Sequence, residues 1–369
     1  MNDRQNNRPP QNRSRKQNSG NNTSQSKKDG KIWFDPSCLP LRTPPAVSRL
    51  TENIVNYDKN VGFNAMIDES IARVISDLEV IILREFGNYK VCKFGSSVNG
   101  FGTVNSDVDC FVDLPDNNAK HLRRLRKVLE RSSTFHVSLA VVHARVPIIT
   151  CTHRQSSTDL DVSFKTKDND RSDVLDNSAL LKAYADLNPK IPAVGRFIKL
   201  VHKFSGEFGS ASTGGLSSYS HIIMFIHYLI QSKTIPHIPL DANSRTHKPV
   251  KIAKPHGDLF LDFLAFYACW FDSSSYKVDI RYARPVSCKK SGIFQIEDPI
   301  IDRNLGKCMQ AARTHDMKLF YFKVCYVLST HNLATRDLEK WVASPNQNNL
   351  YPPKYYPRLN PDCGKYLHF

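Results

Sequence analysis

An α+β fold of two lobes is what the sequence predicts, with a small mixed sheet in one lobe and mostly helices in the other. Three observations carry this. Helical and extended patterns alternate from about residue 61 to 177. From residue 178 onward the apolar side chains fall at i, i+3, i+4 spacing, the mark of amphipathic helices. Between these patterns, the stretch CKFGSSVNGFGTVNSDVDCFVDL at 92–114 sets glycines and serines ahead of two aspartates separated by one valine.

Each element follows in order. Residues 1–31, rich in Asn, Gln, Ser and Arg, cannot bury a core and read as a disordered basic tail. The Pro-containing WFDPSCLPLRTPPAVSRL comes next. FNAMIDESIARVISDLEVIILREFG then places Phe63, Met66, Ile67, Ile71, Val74, Ile75 and Leu78 on one helical stripe, closed by Gly87 and Asn88. YKVCKFG starts a strand, and a second strand covers 107–114. NAKHLRRLRKVLERS is a basic helix whose Arg123, Arg124, Arg126 and Lys127 read as a solvated face first and as an RNA track second. FHVSLAVVHARVPIITC and TDLDVSF read as two more strands, with a break at Pro147. Residues 61–177 thus form one α/β unit. Residues 32–60 join 178–345 in a helical unit built on SALLKAYADL, AVGRFIKLVHKF, SSYSHIIMFIHYLIQ, LFLDFLAFYACWFD and MKLFYFKVCYVLSTH. KVDIRYARPVSCKKSGIFQIEDP has room for short strands, and the Pro-rich 346–369 is irregular.

Charge narrows the choice of partner. The net charge is +16, and up to Lys31 eight basic residues face only Asp3 and Asp29, so most of the surplus lies beyond the tail. A polyanion, and nucleic acid first of all, is the matching partner. No stretch approaches the roughly 20 apolar residues of a membrane span, and the N-terminus has no apolar core of a secretory signal. Nine cysteines with no C-x-x-C pair, several inside apolar runs, fit buried thiols in a reducing compartment better than disulfides or a zinc knuckle.

The chemistry sits in the quoted stretch. Asp107 and Asp109 are i and i+2 on a strand and point to one face. Two carboxylates so close repel unless a divalent cation lies between them or one is protonated. Gly95 and Ser96 follow a strand, where backbone N–H groups and a hydroxyl can approach phosphate oxygens. Mg²⁺ favours a few carboxylates plus substrate phosphates, so the two features together describe a metal–triphosphate site. Two ions that hold attacking and leaving oxygens need a third carboxylate. On TDLDVSF, Asp161 is the candidate, and Asp159 reads as a solvated strand end.

The pattern of Gly95, Ser96, Gly100, Ser106, Asp107 and Asp109 resembles the DNA polymerase β-like nucleotidyltransferases. ARVPIIT, LDVSF, DNSALLKAY, FIKLVHKF, GGLSSYSHIIMFIHYL and IEDPIIDRN, in that order, narrow the resemblance to template-independent RNA terminal nucleotidyltransferases, the cytoplasmic poly(A) polymerases and terminal uridylyltransferases. It spans roughly residues 60–330. It implies a polymerase β-like palm beside a helical central domain, with the nucleotide bound between them. Carried over, Ser96 contacts the triphosphate, and Asp107, Asp109 and Asp161 ligate two ions, Mg²⁺ or Mn²⁺. Asn177 and Ser178 match positions that contact the ribose, and Ser218 and Tyr219 match the family's SSY, whose tyrosine stacks on the base. Lys199 and Lys203, i and i+4 on one helix, suit the outer phosphates. The bland readings are a helix cap for Ser218/Tyr219 and a solvated face for the lysines.

Base choice falls to IEDPIIDRN, where Arg303 stands beside Asn304 in the place at which many uridylyltransferases of the family carry histidine. A guanidinium only donates; it can serve uracil O4 but cannot accept from the adenine amine. UTP is therefore the expected substrate, with ATP the alternative, and mixed-base tailing stays open. The expected acceptor is an RNA 3′ end, reached in the cytoplasm or the nucleus, with a protein adaptor for recruitment. Rival readings are another acceptor within the superfamily and an inactive RNA-binding scaffold; retention of all three aspartates speaks against the scaffold.

Overall fold

The computed structural model describes residues 39–113, 119–141, 147–164, 172–205, 214–240, 248–288, 293–334 and 337. The tail at 1–31, the link at 165–171 and the segment at 346–369 lie outside the described residues.

Strands β1 (Val91–Phe94), β2 (Val108–Val112), β3 (Phe135–Val141), β4 (Ile148–His153) and β5 (Thr158–Phe164) form one sheet in the order β1-β2-β5-β4-β3. Only β2 and β5 run parallel. Their register sets Asp109 directly beside Asp161. The stretch read as a single strand across Pro147 is a pair, β3 and β4, hydrogen-bonded antiparallel. Valine and isoleucine on both sides of the proline made one broken strand and two paired strands look alike.

Helices α2 (Ala65–Phe86) and α3 (Ala119–Arg131) cover the sheet. Asn64 caps α2 by accepting the Ile67 amide, and Gly87 ends it at φ 99°. Ile71, Val74, Leu78 and Ile82 of α2 meet Leu122, Leu125 and Leu129 of α3 and the sheet residues Val108, Cys110, Leu160 and Val162 in one core. The charges of α3 face outward, Arg124 toward Glu85 and the Phe86 ring, Arg126 toward Glu130.

A second core joins α1 (Pro44–Val61), α4 (Ser172–Asp186), α5 (Lys190–Phe204), α6 (Ser218–Gln231), α7 (His256–Ala265) and α8 (Ala311–Thr330). The stretch read as merely Pro-containing ends in α1, whose first residues are Pro44 and Pro45. Proline is tolerated there because the first N–H groups of a helix lack partners anyway. Between α7 and α8, β6 (Tyr276–Lys277) and β7 (Val286–Ser287) make a short ribbon. Among the described residues no helix is long and apolar enough to cross a membrane.

One sheet-side residue belongs to the helical core. Phe101, in the turn between β1 and β2, is 1 % exposed and packs among the helices. It fits because residue 195 on α5 is glycine; a Cβ there would stand 2.6 Å from the Phe101 ring. Arg196 holds the same turn: it donates to the Gly100 carbonyl at 2.6 Å and to Asp58 of α1 at 2.7 Å. Lys199 donates to the Phe101 carbonyl at 3.0 Å.

Candidate active site

The two cores leave a cleft of about 1460 Å³ between them. Its wall includes Gly95, Ser96, Asp107, Asp109, Asn177 and Ser178. It also includes Lys199, Lys203, Ser218, Tyr219 and Arg303. Six segments, spread from residue 95 to residue 303, thus bring eleven of the twelve expected residues to one cavity. Asp161 is the exception: it does not line the cleft, although its backbone lies beside Asp109.

Local structure explains the arrangement. After β1 the chain makes a 3₁₀ turn at Gly95–Ser97, with the Val98 and Asn99 amides both donating to the Gly95 carbonyl. Gly95 has φ 70°, and a Cβ on it would collide with the Asp109 carboxylate. A side chain is therefore excluded on two grounds, conformation and space. The Ser96 hydroxyl makes no hydrogen bond among the described residues and lines the cleft. The Ser178 hydroxyl is occupied within the protein: it accepts the Gly95 amide at 2.8 Å and donates to the Val174 carbonyl at 2.7 Å. It ties α4 to the glycine turn.

On the opposite wall, Ser217 rather than Ser218 caps α6, accepting the Ser220 amide. Tyr219 is thereby left to reach Asn177, its hydroxyl donating to Oδ1 at 2.5 Å. Asp298, 1 % exposed, accepts from the Asn177 amide at 3.2 Å, from the Ile300 and Ile301 amides and from Arg303 at 3.2 Å. This buried carboxylate sets the positions of Asn177, Arg303 and, through Asn177, Tyr219 together. It was missed as a site residue because its role depends on α4, α6 and the 298–303 loop meeting in space. The acidic IEDP was the only signal in the sequence.

The chain is similar to known proteins. Residues 50–186 match the family model described as the central palm domain of mitochondrial-like poly(A) RNA polymerase. Terminal uridylyltransferase 4 of Homo sapiens is 29 % identical over 274 residues, 63 % of this chain and 16 % of its own. Poly(A) RNA polymerase GLD2 of Homo sapiens is 27 % identical over 349 residues, 83 % of this chain and 68 % of its own. The chain is similar to the template-independent RNA terminal nucleotidyltransferases. It spans only about a sixth of the length of terminal uridylyltransferase 4. A cytoplasmic RNA terminal U-transferase structure shares the fold at TM-score 0.67 or above, specifically 0.68, with 19 % identity over 80 % of this chain and 98 % of that one. The mtPAP structure in complex with UTP superposes at TM-score 0.66, with 17 % identity over 82 % of this chain and 75 % of that one. Solved structures of this terminal nucleotidyltransferase fold thus carry a nucleoside triphosphate, and one of Cid1 poly(U) polymerase carries MgGTP.

The carboxylates have the hard oxygen donors that a divalent cation takes. Asp109 and Asp161, in register on parallel neighbours, share a sheet face. Burial, then the charges of Asp161 and Asp159, push the Asp107 carboxyl upward, and a cation relieves that repulsion. Hard oxygens of this kind suit Mg²⁺ or Mn²⁺. Among the described residues no three His, Cys, Asp or Glu side chains form a group that could hold a metal; the Asp109 carboxylate lies against Gly95, and Asp161 does not line the cleft. Asp159, at the start of β5, accepts from the Thr152 hydroxyl at 2.7 Å. Facing the acids, Lys199 is disfavoured as a cation by burial and by Arg196 and favoured by Asp109, and its pKa falls to about 8.

Proposed function

We propose that this chain adds ribonucleotides, uridylate in the first place, from nucleoside triphosphates to RNA 3′ ends without a template. The observation that carries the reading is the cleft itself: aspartates and a glycine turn on one wall, two lysines and an aromatic ring on the other.

The roles follow from the chemistry of each group. Asp107, Asp109 and Asp161 would hold divalent cations, Mg²⁺ or Mn²⁺, which supply Lewis-acid polarisation of phosphate oxygens and acidify an attacking hydroxyl. Ser96 and the amides of its turn donate to the triphosphate. Lys199 and Lys203 offset the outer-phosphate charge, which grows as pyrophosphate leaves. The RNA 3′-hydroxyl attacks the α-phosphate in line; the new O–P bond forms as the bond to pyrophosphate breaks, and the hydroxyl proton passes to water in the cleft. Asn177, held by Asp298 and Tyr219, contacts the ribose. Ser178, whose hydroxyl is engaged by Gly95 and Val174, positions the glycine turn. A base stacks on Tyr219, which orders it without choosing among bases.

Arg303 chooses. Its pairing with Asp298 leaves other guanidinium donors for a carbonyl such as uracil O4. Adenylyl transfer is the second reading, favoured by the extended match to a poly(A) polymerase.

The test is extension of a labelled single-stranded RNA with each nucleoside triphosphate alone, in Mg²⁺ and in Mn²⁺, beside the Asp161→Ala protein. Extension with UTP that the variant lacks is the expected result. Extension with ATP alone overturns the base assignment. A protein that extends with no triphosphate and binds none overturns the catalytic reading.

A further inference from the structure

A second cavity lies at the far end of α6. Twelve residues separate Tyr219 from Gln231, which at 1.5 Å per residue is about 18 Å along the helix. The cavity holds about 540 Å³, within the range of small-molecule sites.

Four features of its lining share no single structural explanation. Tyr228 and Gln231 line it, and the hydroxyl of the first and the amide nitrogen of the second are buried just behind its surface with no hydrogen-bond partner. Tyr228 is 3 % exposed; Ser232 and Asp262 lie beside its hydroxyl without meeting hydrogen-bond geometry. Orphaned buried polar atoms are uncommon in folded proteins and point to a missing partner. Lys233 lines the cavity from a left-handed backbone, φ 54°, at the position after a helix where glycine is preferred. Backbone held in this region by a non-glycine residue clusters at ligand clamps. Phe266 and Trp270 are the first and last residues of a π-helical turn continuing α7, a distortion frequent at functional sites. Finally, the charges do not balance. Asp262 is already paired with Arg42 and Lys254, whereas Lys233 and Arg284 have no carboxylate partner among the described residues.

We propose that this cavity is a second nucleotide site, taking a base against Trp270 and a phosphate between Lys233 and Arg284. The Tyr228 hydroxyl and the Gln231 amide then meet the polar edge of the base. Aromatic surface beside cations is the general pattern by which proteins hold single-stranded nucleic acid. The nucleotide comes either free or as part of an RNA strand whose 3′ end occupies the cleft; only the second source rests on the proposed reaction.

The test is calorimetric titration of the full chain with uridine 5′-monophosphate and, separately, with a short single-stranded RNA. The proteins compared are the parent, Lys233→Gly with Arg284→Gln, and Tyr219→Ala. Glycine suits the left-handed backbone, so the double variant should keep the parent's melting temperature. Expected is loss of one class of nucleotide binding by roughly tenfold or more in the double variant while the class sensitive to Tyr219→Ala persists. Loss for the mononucleotide marks a free ligand. Loss for RNA alone, with a salt slope shallower by about one per phosphate contact removed, marks a strand. A double variant that melts like the parent and binds both probes like the parent overturns the proposal and leaves the cavity to a protein partner. Failure of the proposed reaction would appear separately, as absence of the Tyr219-sensitive class.

Discussion

At Gly95 a single hydrogen replaces what would be a collision with the Asp109 carboxylate. Gly95→Ala is expected to lower kcat by about a hundredfold, the usual effect of moving a reacting group by an ångström, and RNA extension rates measure it. Lys199 gives a pH prediction. Its charge, with a pKa pushed down to about 8 from 10.5, is present at neutral pH and lost as pH rises through 8. The KM for the triphosphate should therefore rise above about pH 8, and Lys199→Arg, which stays charged, should flatten that limb; steady-state kinetics across pH decide it. For folding the sign is opposite. A charged Lys199 is a cost to the native state, relieved as pH climbs from about 8 toward 10.5. Residues of this kind differ in how far the sequence reveals them. Asp107 and Asp109 could be singled out because their spacing of two is written in the sequence, although β2 starts only at Val108, between them. The hydroxyl of Ser178 turned inward to Gly95, and Asp298 became a hub, through contacts 83 and 121 residues distant in sequence, which no local pattern encodes.

Periodicity revealed most of the elements. α2 and α5 follow their apolar stripes and α6, α7 and α8 show as apolar runs buried on most sides, while α1 was hidden by its opening prolines and β3 and β4 by the apolar residues flanking Pro147. What periodicity leaves out is how one element grips another, and α5 shows the size of that omission. Its Arg196, 8 % exposed, joins α1 through Asp58 to the sheet-side turn through the Gly100 carbonyl. Arg196→Ala should destabilise the fold by about 3 kcal/mol by stranding Asp58 and that carbonyl. Arg196→Lys should recover only part, because one ammonium cannot reproduce the planar fork. Denaturant midpoints of the two variants check both statements.

The whole molecule carries a net charge of +16, more than half of it beyond Lys31. Its affinity for RNA should fall steeply with salt, linearly in log–log form. Removing residues 1–31 should make the slope shallower without abolishing it, as filter binding over a salt series would show; a vanished slope would assign RNA attraction to the tail alone. At this scale the sequence indicated the sign of the partner's charge and the two-lobed plan, but not how the lobes are fastened.

Phe101 supplies that fastening, since it leaves the sheet's own turn to sit among helices beneath Gly195. It works as a rivet through two plates. A palm severed near residue 177 would expose a phenylalanine and strand a carbonyl pair, while the orphaned helices would gain a hole the size of a benzyl group. Neither half is therefore a portable part: swapping this palm onto a relative's helices, or the reverse, requires that the turn at 99–103 travel with the helix that clasps it.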